Sequence, residues 1–174
     1  MRILICFLLL SACSRSSTDS AALYAQTSSQ PSIAILAIED EACTFSSLKI
    51  ADLLTSSVIR CVEQNKPFEI VQEKRAARYH IKMQLVELQE SDTTPHDLTM
   101  SILLKILDTR NGKVLLQEVL SVNTLLDEPL GPSTALSQNN AEFRISPLGL
   151  GSAKLSRKIA TRIEESILSQ VRTS

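Results

Sequence analysis

Apolar and polar positions recur along this chain in three rhythms, and each rhythm predicts a different kind of element. After Pro31, the run Ser32-Ile33-Ala34-Ile35-Leu36-Ala37-Ile38 is almost continuously apolar and is closed by Glu39-Asp40-Glu41, the pattern of a short buried strand. Ile50, Leu54, Val58, Cys61 and Val62, joined by Ala51 and Leu53, then repeat every three or four residues. That spacing predicts an amphipathic helix to about Gln64, capped by Thr44 or Ser46 and stopped by Asn65-Lys66-Pro67. Phe68-Glu69-Ile70-Val71 suits a brief second strand. In the next segment Tyr79, Ile81, Met83 and Leu85 alternate with His80, Lys82 and Gln84, so one face is buried and the other wet. The parity changes at Leu85-Val86, where Val86 and Leu88 continue on the other side, and a bulge is expected.

After a polar connection from Ser91 to His96, the residues Leu98, Met100, Ile102, Leu104 and Ile106 mark another period-two strand. Asp108-Thr109-Arg110-Asn111-Gly112-Lys113 supplies hairpin chemistry because Asn-Gly readily takes positive φ, and the return strand runs from Val114 to about Leu126. Asp127 to Pro147 holds Pro129, Gly131, Pro132 and Pro147 and predicts a long loop without a packed element. Gly149 to Ser152 then open a closing amphipathic helix on Leu155, Ile159, Ala160, Ile163, Ile167 and Val171.

The order β-α-β-β-β-β-α argues for an α+β two-layer sandwich over 31–174, a single domain. It consists of an about four-stranded, mostly antiparallel sheet with two helices packed on one face. Ile102, Ile106 and Ile163 should share its core, and the opposite sheet face should carry His80, Lys82 and Gln84.

The amino end follows a different logic. Met1-Arg2, the apolar run Ile3 to Leu10 and small residues before Cys13 have the parts of a secretory signal, and eight apolar residues are too few to span a bilayer as a helix. Leu10-Ser11-Ala12-Cys13 resembles the bacterial lipobox, which implies a signal peptide over 1–12 and acylation of Cys13, an anchor strengthened by about 0.8 kcal/mol per buried methylene. Ser14 after that cysteine implies, in the lipoprotein pattern, transport onward to the outer membrane. Residues 13–30, rich in Ser, Thr, Ala and Gln, suit a lipidated flexible tether.

Removal of Arg2 with the signal leaves 17 basic against 19 acidic side chains, so no overall electrostatic pull toward nucleic acid follows. With two Tyr, four Phe and no Trp, the chain has few platforms for stacking bases or sugars. Cys43 and Cys61, if they flank one helix, lie about 27 Å apart, against a disulfide limit near about 7 Å. Cys61 falls on the apolar stripe and suits a small core hydrophobe. No CxxC, Cys/His cluster, phosphate-binding glycine loop or nucleophile motif occurs, so neither metal, cofactor nor enzymatic activity is expected. His80, on a wet strand face, and His96, in a loop, suit solvated histidines.

Two cationic groups stand out. Lys154, Arg157, Lys158 and Arg162 occupy the first half of the last helix, with Glu164 and Glu165 after them, an order opposed to the helix dipole. They are candidates for contact with an acidic partner surface. Arg110 and Lys113 flank the hairpin tip and are candidates for lipopolysaccharide phosphates through charge-assisted hydrogen bonds.

Together, the lipobox at Cys13, the polar tether, Ile33 to Ile38, the first helix, Ala77-Arg78-Tyr79-His80-Ile81, the segment Leu103 to Val114 and the helix Ala153 to Val171 resemble the LptE family of outer-membrane lipoproteins. The resemblance implies a domain that assists assembly of a large LptD-like β-barrel, plugs its lumen and contacts lipopolysaccharide, facing the periplasm or the barrel interior. Similar motifs occur in LpoB-, CsgG- and TolB-like proteins, which give the alternative of a periplasm-facing regulatory or assembly lipoprotein. One strand after the hairpin, one irregular loop and a single terminal helix favour the first reading. So does the arm, whose random-coil span of about 25 Å suits a partner in the same membrane. The loop Asp127 to Pro147 has no counterpart in the family pattern.

Overall fold

A computed structural model describes residues 30–40, 50–65, 67–91, 96–126, 143–144 and 146–173. The expected signal peptide, the acylated Cys13, the tether before Gln30, Cys43, the capping residues Thr44 and Ser46, and loop residues 127–142 lie outside the described residues.

The described elements are β1 (Ser32–Ile35), β2 (Glu39–Asp40), α1 (Ile50–Asn65), β3 (Glu69–Ile70), a 3-10 turn (Lys74–Ala76), β4 (Tyr79–Glu90), β5 (His96–Asp108), β6 (Val114–Leu126) and α2 (Pro147–Thr173). They build the α+β sandwich, and its sheet runs β3-β1-β4-β5-β6 with β2 pairing separately to β4. The long ladders β4–β5 and β5–β6 are antiparallel, whereas β1–β3, β1–β4 and β2–β4 are parallel. Among the described residues the sheet is therefore mixed and has six strands rather than about four: β3 falls within the expected strand Phe68 to Val71, and β2, only Glu39–Asp40, is too short to leave a periodic signature.

The first apolar run does not form one strand. Ile38 donates its N–H to Thr55 Oγ1 of α1 at 3.0 Å, and Thr55 donates its hydroxyl proton to the Ala51 carbonyl at 2.8 Å. This draws the chain toward the helix between β1 and β2. On β4 the pairing slips between Leu85 and Glu87, at the expected bulge, leaving Val86 exposed and Leu88 buried. His96 is the first residue of β5 rather than part of a loop, because pairing with Leu126 extends the ladder.

One buried cluster joins both layers. Tyr79, Ile81, Met83 and Leu85 of β4 and alternate residues from Leu98 to Ile106 of β5 pack with Leu54 and Val58 of α1 and Leu155, Ile159, Ile163 and Ile167 of α2. Each fully buried aliphatic chain contributes about 1.5–3 kcal/mol relative to exposure.

The helix that covers β6 begins earlier than its sequence pattern suggests. Ser146 is its N-cap: the Oγ accepts from Gly149 N at 3.1 Å and donates to the Phe143 carbonyl at 2.7 Å, while Pro147 supplies a first-turn residue with no N–H to satisfy. Phe143 is buried, so the expectation of an unpacked loop through Pro147 fails at its last residues. Gly149 permits this entry, since a Cβ there would collide with the Phe143 carbonyl.

Candidate interaction surfaces

The hairpin and the first residues of β1 and β4 meet at one end of the sheet. Ile33 pairs with Tyr79 and Tyr79 with Asp108, so three strands align there. Asp108 Oδ1 accepts from Arg110 N at 2.9 Å, Asn111 Oδ1 accepts from Lys113 N at 2.8 Å, and Gly112 closes the turn at φ 69°. Thr109 donates its hydroxyl to the carbonyls of Ala77 and Arg78, each at 2.9 Å, and Arg78 N donates to Ser32 Oγ at 3.0 Å. The Asp and Asn side chains thus shape the turn and Thr109 fastens it to the segment leading into β4, leaving the side chains of Arg110 and Lys113 exposed.

More cations gather at the same end. Arg78 stacks 4.9 Å over the Tyr79 ring, and its Nε lies 3.9 Å from Asp108 Oδ2, beyond hydrogen-bond reach. Burial pushes the Tyr79 phenol above its ordinary pKa, Arg78 opposing the shift. His80 Nε2 lies 2.7 Å from the Lys74 carbonyl, which holds the 3-10 turn, with exposed Lys74 and Arg75, against β4. His80 is therefore half-buried and engaged rather than simply solvated. Lys82 pairs directly with Lys105, a like-charge arrangement that weakens a ladder, and carries the basic surface onto the uncovered sheet face. Lys74, Arg75 and Arg78 were not among the sequence candidates, although the run Lys74-Arg75-Ala76-Ala77-Arg78 was the available signal.

The cations of α2 divide into two sets. Arg162 is clasped from two sides: its Nε and Nη2 donate to Glu118 of β6 at 2.6 and 2.8 Å, and its Nη1 donates to Glu165 at 2.7 Å. These bonds hold the Glu118 carboxyl below the ordinary carboxylate range. Lys158 Nζ donates to the Ser121 carbonyl at 3.1 Å. Both residues dock α2 on β6, so their charges have an explanation within the fold that the opposed dipole had hidden. Lys154 is exposed, and Arg157 borders a cleft between the helices.

Both helices cover one sheet face, and among the described residues no element covers the other. Leu103 lies there between Gln84 and Val119, and Val119 and Leu125 are 56% and 63% exposed. Ser101 donates to Glu87 at 2.8 Å and sits 2.9 Å from the Ser121 hydroxyl, so the centre of the face is a polar knot beside an apolar strip. Cys61 is half-buried against the core, and burial pushes its thiol up despite Arg157 and Arg60 nearby. Among the described residues no helix is long and apolar enough to cross a membrane, and no group of three His, Cys, Asp or Glu is placed to hold a metal ion.

The chain belongs to a family of unknown function, DUF7499, whose sequence profile matches residues 69–171, from β3 to the end of α2. No curated protein matches it in sequence. Among solved structures, a hypothetical protein of Chlamydia trachomatis is similar at a TM-score of 0.69 with 13% identity, over 80% of this chain and 99% of that one. A Xanthomonas campestris protein is similar at 0.64 with 10% identity, over 82% and 90% of the two chains. At such identities the likeness is one of fold. A lipoprotein of Neisseria meningitidis is more distant, at 0.41 with 13% identity over 83% of this chain and 99% of its own, too remote to carry an argument.

Proposed function

We propose that this DUF7499 protein is a bacterial outer-membrane lipoprotein, anchored through acylated Cys13, whose domain is a binding and assembly subunit without enzymatic activity. Following its resemblance to the LptE family, it assists assembly of a large LptD-like β-barrel, plugs that translocon and serves lipopolysaccharide transport to the cell surface. The observation that carries this reading is topological. The chain enters the domain at Ser32, beside the sheet end that gathers Arg78, Arg110 and Lys113, and the basic surface continues through the opposed Lys82 and Lys105. Stability opposes that last pairing, and an anionic lipid surface or lipopolysaccharide phosphate would favour it.

An anchored arm keeps such a surface near headgroups, where each cation contributes about 1 kcal/mol within a Debye length of about 8 Å. The open face beside it, with Val119 and Leu125 exposed, is then the surface for the barrel. Affinity capture of the tagged full chain from outer membranes, read by mass spectrometry, tests the reading. A large β-barrel protein should be recovered, and recovery of a cell-wall synthase in its place would overturn the assignment. In the Cys13→Ala variant, labelled palmitate should be absent; equal labelling would remove the anchor.

A further inference from the structure

Away from the sheet end, α1 and the first turns of α2 enclose a cleft of about 340 Å³. Three guanidinium side chains border it: Arg60 from α1, Arg144 from the segment preceding α2, and Arg157 from α2. No Asp or Glu is among its lining residues, and among the described residues none of the three arginines is ion-paired. Farther along the helix pair, Glu164 accepts from Asn65 at 3.2 Å. Arg60 and Arg157, from opposite helices, line the cleft together with Cys61.

Three like charges around a cleft repel one another, and folding gains nothing from that arrangement. Ser156, another lining residue, is fully buried and its Oγ has no hydrogen-bond partner. A buried hydroxyl left unpaired is costly, and a change of χ1 would offer it to a ligand. Phe143 and the 48% exposed Leu150 supply an apolar part of the wall, beside the polar Ser57 and Gln64. The volume falls at the small end of the range for small-molecule sites, about 300–1,000 Å³. Guanidinium forks match phosphate oxygens bidentately, which suits this donor set to a phosphate better than to a lone carboxylate.

We propose that the cleft between α1 and α2 is a binding site for a phosphate oxyanion, held by Arg60, Arg144 and Arg157 with its non-phosphate portion against Phe143 and Leu150. This site is separate from the basic sheet end and does not depend on the lipoprotein reading.

Titration calorimetry on the detergent-solubilised full chain tests it, with inorganic phosphate and dihexanoyl phosphatidic acid as probes and dihexanoyl phosphatidylcholine as the comparison. Saturable binding of the first two is expected, weakened at least tenfold in the Arg60→Glu/Arg157→Glu double variant and lowered by salt. Tighter binding of phosphatidic acid than of inorganic phosphate identifies a lipid phosphate as the source, and equal binding identifies free phosphate. The three arginines are exposed, so the variants should keep the wild-type circular dichroism and melting profile. Lys154→Glu, on the same helix but outside the cleft, should bind as wild type. Absence of saturable binding by either probe, equal affinity for phosphatidylcholine, or unchanged affinity in a folded double variant would each overturn the site.

Discussion

Arg162 and Arg110 are both arginines singled out by charge pattern alone, and the fold treats them in opposite ways. Arg162 has its guanidinium divided between two carboxylates and fastens α2 to β6. Arg110 contributes its backbone N–H to the hairpin, and its side chain is exposed. A cation that opposes the helix dipole invites a functional reading until the neighbouring strand is known, because a tertiary ion pair outweighs a dipole term of a few tenths of a kcal/mol. The hairpin cations have no such internal explanation, and neither does the Lys82–Lys105 pair. The contrast therefore separates charge that builds the molecule from charge left for something outside it.

The contrast holds only while α2 stays seated, and the largest expected effect comes from unseating it. Ile102 and Ile106 of β5 and Ile163 of α2 are fully buried in the common core. Truncation of any one to Ala should cost about 2–5 kcal/mol, and chemical denaturation should show it as a lowered midpoint with little change in slope. Wild-type midpoints for all three would mean that the helix and the sheet do not share a core.

Next in size is the entry of α2. Gly149→Ala places a methyl group against the Phe143 carbonyl, a backbone atom that can move only with the turn that carries it. The loss should be about 1–3 kcal/mol by thermal melting, with Gly151→Ala milder because its methyl would meet the side chains of Met100 and Thr124 rather than backbone. If Gly149→Ala melted at or above the wild type, Ser146 would not be fixing the start of the helix as described.

This entry also marks where sequence reasoning stopped. Period-two alternation marked β4, with its slip at Leu85, and β5, while the Asn111-Gly112 turn chemistry marked the hairpin and its return strand β6. The interruption after Ile35 depends on Thr55, which lies across the fold, and β2 is only the two residues Glu39–Asp40. Neither leaves a periodic trace. Ser146-Pro147 falls within the stretch whose Pro, Gly and Ser content suggests a loop, so the cap shows only in the fold. Arg110 and Lys113 were visible as candidates because they flank a recognisable turn. Lys74, Arg75 and Arg78 join them only through the pairing of β4 with β5, and the arginine cleft appears only when α1 meets α2.

A direct comparison of the two arginines follows. Arg162→Ala should lower the melting temperature measurably, since it removes a two-pronged contact between α2 and β6, and Glu118→Gln should behave similarly. Arg110→Ala should fall within about 0.5 kcal/mol of the wild type, as a surface change that leaves the backbone bonds of the turn in place. Equal losses would erase the distinction between the two regions. In the proposed lipid role the order reverses: Arg110→Glu/Lys113→Glu should weaken sedimentation with phosphatidylglycerol-containing vesicles more than tenfold, while Arg162→Ala should leave it unchanged.

The finest test uses pH. Hydrogen bonds from Arg162 hold the Glu118 carboxyl below its ordinary value, so folding favours the ionised form. A carboxyl depressed on folding contributes stability that is complete above its unfolded pKa, about 4.3, and is lost as pH falls through the lower folded value. The melting-temperature gap between wild type and Arg162→Ala should therefore stay constant from neutral pH to about 5 and close progressively in more acidic buffers. Arg110→Ala should track the wild type across the same series. A gap for Arg162→Ala that persists undiminished below pH of about 3 would mean that its aliphatic stem, packed between α2 and β6, contributes the stability instead of the charge. Arg162→Met, which keeps much of that stem, would then melt with the wild type, and under the ion-pair reading it would melt with Arg162→Ala.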